Sequence, residues 1–176
     1  MNRRFFLTSG LTLGAVAVLS TQSLAAAAAA STLTGATNGR GAKTSLRKVI
    51  KTNAQWKRIL TPEQYNVTRE KGTEAPYSSS LNEVHDSGTF QCVSCALPLF
   101  SSKAKFDSNT GWPSFYQPLA KQYVHEVVDK SLPGEPRTEI SCARCDAHLG
   151  HVFKDGPPPT GLRYCMNGVA MKFVKA

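Results

Sequence analysis

Five cysteines constrain this 176-residue chain more than any other feature, because four of them form two Cys-x-x-Cys pairs. The pairs are Cys92 with Cys95 and Cys142 with Cys145. Their spacing suits tetrahedral zinc, and four protein ligands leave no open position on the metal for a substrate. The sequence therefore predicts one structural zinc ion per chain. Disulfide bonding within or across the pairs is the alternative, which an oxidising compartment favours.

The two pairs lie in similar surroundings. Residues 89–91 precede the first pair and residues 99–100 follow it, while residues 139–141 and 149–153 take the same places around the second. Each half indicates a strand, a metal-binding turn and a return strand. Two such hairpins meeting at their tips would bring four sulfur atoms to one point.

The rest of the chain predicts two short helices followed by β structure. Asn53 can cap a first helix, and Thr61-Pro62-Glu63-Gln64 has the capping-box pattern with proline at the first helical position of a second. From Pro76 onward the helical period is lost. Short strand-like runs lie between turn residues, at 123–128, 137–140 and 171–174. We expect a mainly antiparallel β domain over residues 53–176.

The first thirty residues have the three parts of a signal peptide. Arginines at 3–4 precede an apolar run at 11–19, and small residues at 25–30 suit a signal peptidase. The apolar run is shorter than the roughly 20 residues that span a bilayer. The arginines followed by Phe6-Leu7 resemble the twin-arginine type, which exports folded proteins, with general secretion as the alternative. We expect a periplasmic protein that acquires its metal before export.

Residues 31–52 are predicted to form a basic flexible linker. Seven Lys and Arg residues and no acids lie between Ser31 and Pro62, in a stretch with little apolar content. The formal net charge of +9 falls to +7 when Arg3 and Arg4 are removed. A basic arm for nucleic acid is the alternative, but an exported protein rarely meets nucleic acid, so none is predicted as a partner.

The fifth cysteine, Cys165, is the candidate nucleophile. Strand alternation places Arg163, Cys165 and Asn167 on one face, so a cation and an amide flank the sulfur and can lower its pKa. The thiolate is the reactive form. The alternative is a buried cysteine that acts only as a small hydrophobic residue.

Two histidines, His148 and His151, follow the second cysteine pair directly. Four thiolates already fill the metal, so their predicted role is to donate a proton and position groups beside Cys165. A packed core histidine is the alternative for either one alone.

Taken together, these features resemble the B-type methionine sulfoxide reductases, which act on the R epimer at sulfur. The resemblance extends from about Trp56 to Val174. The segments that carry it are Gly72–Pro76, Lys105–Phe115, His148–Pro157 and Arg163–Asn167.

The resemblance implies a β fold of two antiparallel sheets, barrel-like, with the zinc site away from the chemistry. It implies that Cys165 attacks the sulfoxide and becomes a sulfenic acid, and that Trp112 holds the S-methyl group, with Phe115 beside it in the substrate site. The implied remaining pocket residues are His148, His151, Asp155, Arg163 and Asn167. The implied substrates are oxidised proteins or peptides bearing methionine sulfoxide, and the chain is expected to act as a monomer.

Two positions depart from the common family pattern. Thr110 stands where many relatives carry a resolving cysteine, and Gly168 stands where a serine is usual. Because zinc would hold the other four cysteines, the sulfenic acid of Cys165 should be reduced by an outside thiol, either a thioredoxin-like protein or a small thiol.

A zinc-ribbon binding module is the alternative function, suggested by the cysteine pairs and a pI of about 9.5. Ribbons separate their pairs by about 15–20 residues, and forty-six lie between Cys95 and Cys142. A thioredoxin-like protein is a third reading, but neither pair lies in a βαβ pattern.

Overall fold

The computed structural model describes residues 46–176. The predicted signal peptide at 1–30 and residues 31–45 of the predicted linker lie outside the described residues. Within residues 46–176, no helix is long and apolar enough to cross a membrane.

Two short helices, α1 (Asn53–Ile59) and α2 (Pro62–Glu70), open the fold. Each begins with a capping box, formed by Thr52 with Gln55 and by Thr61 with Gln64. The prediction for α2 is confirmed. For α1 the predicted cap at Asn53 is wrong by one residue. Thr52 caps the helix instead because Gln55, three residues later, accepts a hydrogen bond from its backbone N–H at 2.8 Å.

Nine strands form two antiparallel sheets in the described part of the chain. Their bounds are β1 Gly88–Cys92, β2 Pro98–Ser101, β3 Lys105–Phe106, β4 Ser114–Phe115, β5 Val124–Asp129, β6 Arg137–Cys142, β7 His148–Phe153, β8 Arg163–Met166 and β9 Met171–Lys175. The smaller sheet has the order β2-β1-β9, and the larger has the order β3-β4-β8-β7-β6-β5. The predicted fold class, mainly β with two antiparallel sheets and two short helices, is confirmed.

One face of the larger sheet forms the core with the smaller sheet. Phe115, Ile140 and Tyr164 point to this side, and Phe90 and Phe100 meet them from the smaller sheet. The ring of Phe115 stacks on Phe100 at 4.5 Å and meets the edge of Phe90 at 4.9 Å. Burying each ring contributes about 1.5–3 kcal/mol, so this cluster holds the two sheets together.

Alternation sends polar residues to the opposite face of the larger sheet. Glu139, His151 and Cys165 are direct partners across β6, β7 and β8 and therefore share that face. Helix α2 contacts β7, and Lys71, the residue that ends α2, donates to Glu139 at 2.8 Å. The region beside His151 and Cys165 remains open as a pocket.

The packed region begins before the predicted domain boundary at residue 53. Leu46 and Val49 pack against the core, and the Val49 N–H donates to the carbonyl of Arg144 at 2.8 Å. Lys48 forms an ion pair with Asp146 at 2.6 Å. Residues 46–52 of the predicted linker therefore contact the turn that carries the second cysteine pair.

Candidate active site and metal centre

The two cysteine pairs occupy equivalent turns, one between β1 and β2 and one between β6 and β7. In the first turn the Cys92 N–H donates to Leu97, and in the second the Cys142 N–H donates to Ala147. Ala96 and Asp146 take the same left-handed backbone conformation, with φ of 58° and 57°. The internal similarity read from the sequence thus corresponds to a repeated local structure.

The four sulfur atoms meet where the two turns touch. All of them lie within 4.8 Å of one another. The Sγ atoms of Cys92 and Cys145 are 3.7 Å apart, and those of Cys95 and Cys142 are 3.6 Å apart. A disulfide requires about 2.05 Å, whereas ligands of tetrahedral zinc at about 2.3 Å lie roughly 3.8 Å apart. The four cysteines can therefore hold a metal ion.

Cys165 lies in the middle of the polar face of the larger sheet. It pairs with Ser114 of β4 on one side and with His151 of β7 on the other. Its thiol is partly buried, and the Thr110 hydroxyl oxygen is 3.9 Å from its sulfur. It is separate from the metal centre, as expected of a cysteine with a different role.

The prediction that neighbouring groups lower the pKa of Cys165 requires correction. Burial raises the pKa of the Cys165 thiol above its ordinary value and outweighs the lowering by the Thr110 hydroxyl and the Arg163 cation. The neighbours act in the predicted direction, but desolvation of the thiolate is the larger effect.

A cavity of about 120 Å³ opens over Cys165. Its lining combines aromatic, polar and charged side chains, namely Thr73, Trp112, Arg137, Gly150, His151, Phe153, Cys165 and Asn167. Of the predicted site residues, Trp112, His151, Cys165 and Asn167 are thus brought together. Such a pocket has room for a small side chain, with aromatic walls and a few polar groups.

The two histidines have different surroundings. His151 lines the pocket, and its Nε2 is 2.9 Å from the carboxylate of Asp129. His148 is buried, with Nδ1 at 2.8 Å from Glu139, and it does not line the pocket. Burial lowers the pKa of His148, although Glu139 acts in the opposite direction. The structure therefore places only His151 where it can contact a bound molecule.

Asp129 orients His151 from the end of β5. Hydrogen bonds from Ser131, first from its backbone and then from its side chain, hold the pKa of Asp129 well below its usual range, and His151 and Arg137 add to the effect. The carboxylate is therefore ionised and can stabilise a protonated imidazole. The sequence analysis missed Asp129 because it lies 22 residues from His151, which the sheet brings within contact.

Glu74 holds two pocket residues, Asn167 and Trp112, through hydrogen bonds to its backbone. Its backbone N–H donates to Asn167 Oδ1 at 3.0 Å, and its carbonyl accepts from Trp112 Nε1 at 3.2 Å. Its carboxylate accepts from the N–H groups of Gly168 and Val169 at 2.6 and 2.7 Å. Glu74 lies in the Gly72–Pro76 segment that carried the family resemblance, so a signal for it was present.

Arg163 and Asp155 form an ion pair at the edge of the pocket. Arg163 donates to both carboxylate oxygens of Asp155, at 2.9 and 2.7 Å, and its guanidinium lies over the Phe153 ring at 4.4 Å. Neither residue lines the cavity. Arg163 is nevertheless close enough to Cys165 to act on its pKa.

The predicted contact between Phe115 and the substrate is wrong. Phe115 is fully buried in the aromatic core, because alternation in β4 points Ser114 toward Cys165 and Phe115 to the other face. Phe153 contributes the second aromatic wall instead. The signal for it was available, since Phe153 follows His151 by two residues and shares its face.

Most of the described chain is similar to known proteins. Residues 60–175 match the SelR domain family. The chain is 56% identical over 129 residues to a peptide methionine sulfoxide reductase MsrB of Pseudomonas fluorescens, covering 73% of this chain and 98% of that protein. It is 58% identical to the MsrB of Pseudomonas syringae pv. syringae, covering 72% and 96%, and 54% identical to that of Thiobacillus denitrificans, covering 70% and 92%. The chain belongs to the SelR domain family of MsrB methionine sulfoxide reductases.

Proposed function

We propose that this methionine sulfoxide reductase acts on the R epimer, chiefly in oxidised proteins, and that Cys165 is its nucleophile. The observation that carries the proposal is the cavity over Cys165, in which the sulfur lies beside His151 and below the wall formed by Trp112. Each group needed to reduce a sulfoxide by a thiol is present in this cavity.

The proposed reaction transfers one oxygen atom. His151, held by Asp129, donates a proton to the sulfoxide oxygen, which makes the sulfoxide sulfur electrophilic. The Cys165 sulfur attacks, the oxygen passes to it, and the S–O bond of the substrate breaks. Methionine leaves, reduced by two electrons, and Cys165 remains as sulfenic acid, oxidised by two. Asn167, held by Glu74 and by the Leu149 carbonyl, supports the polar side of the pocket.

Regeneration is proposed to require an outside thiol. Thr110 occupies the resolving position beside the Cys165 sulfur, and its hydroxyl cannot form a disulfide. A first external thiol condenses with the sulfenic acid and releases water, and a second thiol then frees Cys165 from the mixed disulfide. A thioredoxin-like protein or a small thiol could supply both.

The metal is proposed to be zinc with a structural role. Four thiolates at tetrahedral spacing suit zinc and leave no open coordination position. A signal peptide at 1–30, a linker that begins at residue 31 and a reductase domain that follows it are likewise proposed from the sequence, with Leu46 and Val49 packed against that domain. Monomeric state, twin-arginine export and a periplasmic role in protein repair are also proposed from the sequence. A zinc-ribbon module gives no role to Cys165 or its pocket.

A pocket that holds both the methyl group and the oxygen supports the proposed preference for one epimer. If Trp112 holds the methyl group and His151 faces the oxygen, the lone pair of the sulfur points toward Cys165 in only one of the two configurations. In that configuration the sulfur is open to attack by Cys165. The separated R and S epimers of a methionine sulfoxide peptide, incubated with dithiothreitol, test this directly by chromatographic measurement of methionine. We expect the R epimer to be consumed at least about a hundredfold faster.

Cys165→Ser is the matched control for this assay. It should lower turnover on the order of 10⁴-fold or more while metal content and melting temperature stay near those of the unaltered protein. Equal consumption of both epimers would argue against the pocket assignment. Substantial turnover by Cys165→Ser would remove the nucleophile assignment itself.

A further inference from the structure

Arg137 is the only lysine or arginine among the residues that line the pocket in the described chain. It is the first residue of β6, and it shares the polar face of the sheet with Glu139, two positions later. Arg137 has no role in the proposed transfer of oxygen from the sulfoxide to Cys165.

Some N–H donors of the Arg137 guanidinium form no hydrogen bond within the described residues. Its Nη2 donates to Asp129 at 2.8 Å and to Ser131 at 3.4 Å. Among residues 46–176, Nε is buried with no hydrogen-bond partner, and Nη1 has none either. A guanidinium carries five N–H donors, and native proteins rarely leave buried ones unpaired. Because Nε is enclosed and Nη2 already donates to Asp129 and Ser131, the two N–H groups of Nη1 are the donors left for a molecule that enters the pocket.

The position of Arg137 matches the length of the substrate. The strand order places β7 between the strands of Arg137 and Cys165, and the register places Arg137 level with Arg163, two residues from Cys165, so the diagonal between them is roughly 12 Å. In methionine sulfoxide, five bonds separate the sulfur from the main-chain carbonyl oxygen, an extended reach of roughly 6 Å. With the substrate sulfur against Cys165, a long arginine side chain covers the remaining distance.

The surface between the two residues is partly aromatic. On β7, Phe153 and His151 line the pocket between β6 and β8, and Phe153, whose ring also contacts the Arg163 guanidinium, offers contact for the methylene groups of the substrate. A cation at one end of this surface and a nucleophile at the other end suit a ligand with a sulfoxide and a main-chain oxygen.

We propose that the Arg137 guanidinium binds the main-chain oxygen of the methionine sulfoxide residue, a carboxylate in the free amino acid and an amide carbonyl in a peptide. This inference rests on the proposed function of the same pocket. A carboxylate accepts a charge-assisted hydrogen bond, which is stronger than one to a neutral carbonyl. The contribution of Arg137 should therefore be larger for the free amino acid than for the peptide.

The test compares three substrates with decreasing main-chain content. They are free methionine (R)-sulfoxide, its N-acetyl N-methylamide, and ethyl methyl sulfoxide, which has no main chain. For Arg137→Met we expect KM to rise about tenfold to a hundredfold for the free amino acid and about threefold to tenfold for the amide, with a smaller change in kcat. The loss in kcat/KM for ethyl methyl sulfoxide should be smaller than either.

Three further variants separate binding from structural support. Arg137→Lys retains a cation and should recover part of the affinity for the free amino acid. Lys130→Met removes an exposed charge from the same β5–β6 connection without altering the pocket, and it should behave as the unaltered protein. Asp129→Asn keeps an oxygen that can accept from Arg137 but removes the charge beside His151, so it should lower kcat for all three substrates alike.

Two results would overturn the inference. Equal losses on the three substrates in Arg137→Met, matching the pattern of Asp129→Asn, would show that Arg137 acts only by holding Asp129. Unchanged KM values would show that it does not meet the substrate. Failure of the unaltered protein to reduce any of the three sulfoxides would instead refute the proposed function, so the two failures are distinguishable.

Discussion

Burial and hydrogen bonding act in opposite directions on the Cys165 thiol. Desolvation raises the pKa of Cys165, whereas the Thr110 hydroxyl and the Arg163 cation lower it, and burial prevails. The resting enzyme therefore holds this cysteine mainly as the thiol at neutral pH. Because the thiolate is the reactive form, a low thiolate fraction at neutral pH limits oxidation of this sulfur by other agents.

This balance predicts how alkylation depends on pH. Below the pKa of Cys165 the thiolate fraction rises about tenfold per pH unit, so the rate of modification by iodoacetamide should increase with pH and reach its midpoint above the ordinary value for cysteine. Thr110→Val keeps the shape but removes the hydroxyl, so it should move the midpoint of this rate profile further upward. Peptide mass spectrometry of the alkylated protein, with Cys165→Ser as the control, assigns the label. A midpoint well below that of free cysteine would contradict the dominance of burial.

At the scale of single residues, the sequence predicted four of the residues that line the pocket. The short motifs of the sequence contain residue types that indicate their chemistry. They therefore predicted Cys165, Trp112, His151 and Asn167. Arg137 was not found, because its place in the pocket depends on the register of β6 against β7, which no local pattern reveals.

The packing of the Ser79 side chain explains why glycine stands at position 168, where a serine is usual in the family. A side chain at this position would place its Cβ in the space of the Ser79 hydroxyl and 2.5 Å from the Ser79 Cβ. Ser79 caps the short 3₁₀ turn Ser80–Glu83, and its hydroxyl accepts from the Leu81 N–H at 3.2 Å. The Ser79 side chain thus takes the space that the usual serine at Gly168 would need.

The element-scale prediction is that Gly168→Ser is destabilising in this chain. Overpacking against Ser79 should cost about 1–3 kcal/mol, a fall of several degrees in Tm. Ser79→Gly alone should cost only a few tenths of a kcal/mol, because glycine is a tolerated cap, and the double variant should recover most of the loss. Thermal denaturation of the four proteins measures the coupling. Additive effects of the two substitutions would contradict direct competition for this space.

The elements themselves were largely predictable from local signals. A capping box predicted α2, whereas α1 was predicted from a cap placed one residue too late, at Asn53 instead of Thr52. Short runs between turn residues predicted strands at 123–128, 137–140 and 171–174, which the structure confirms as parts of β5, β6 and β9, apart from the start of β5, which begins at Val124. The order of strands in the larger sheet was not predictable, because β4 has only two residues and pairs with β8 far along the chain. Nothing local in so short a segment specifies its partner.

At the scale of the molecule, the cysteine cluster joins the two sheets. One pair lies at the end of β1 in the smaller sheet and the other at the end of β6 in the larger sheet. A metal bound by both pairs therefore links the sheets at one point, while the aromatic core links them at another. This placement accounts for a site that is structural and separate from the pocket.

Metal removal should consequently destabilise the whole domain. Structural zinc contributes on the order of 10–16 kcal/mol of apparent binding free energy, more than the stability of most domains of this size. Chelation should abolish near-ultraviolet circular dichroism and activity together, and zinc should restore both. Cys95→Ser should mimic chelation, whereas Cys165→Ser should keep one zinc per chain. A folded and active metal-free protein would refute the structural role.

The distribution of the five cysteines also predicts the state of the enzyme after one turnover. With reductant withheld, each chain should release one methionine and stop, because no thiol outside the metal cluster is available among the described residues to attack the sulfenic acid. Intact mass should rise by one oxygen atom, and a dimedone adduct should map to Cys165.

Thr110→Cys provides the matched comparison, since it introduces a thiol at the position of the hydroxyl 3.9 Å from the Cys165 sulfur. That variant should lose the oxygen as water and form a disulfide between positions 110 and 165, with its zinc content unchanged. If the unaltered protein instead linked Cys165 to a cluster cysteine and released zinc in step with methionine, the metal site would be part of the redox cycle. The division into one catalytic and four structural cysteines would then be wrong, because the sulfurs that join the two sheets would also carry the electrons.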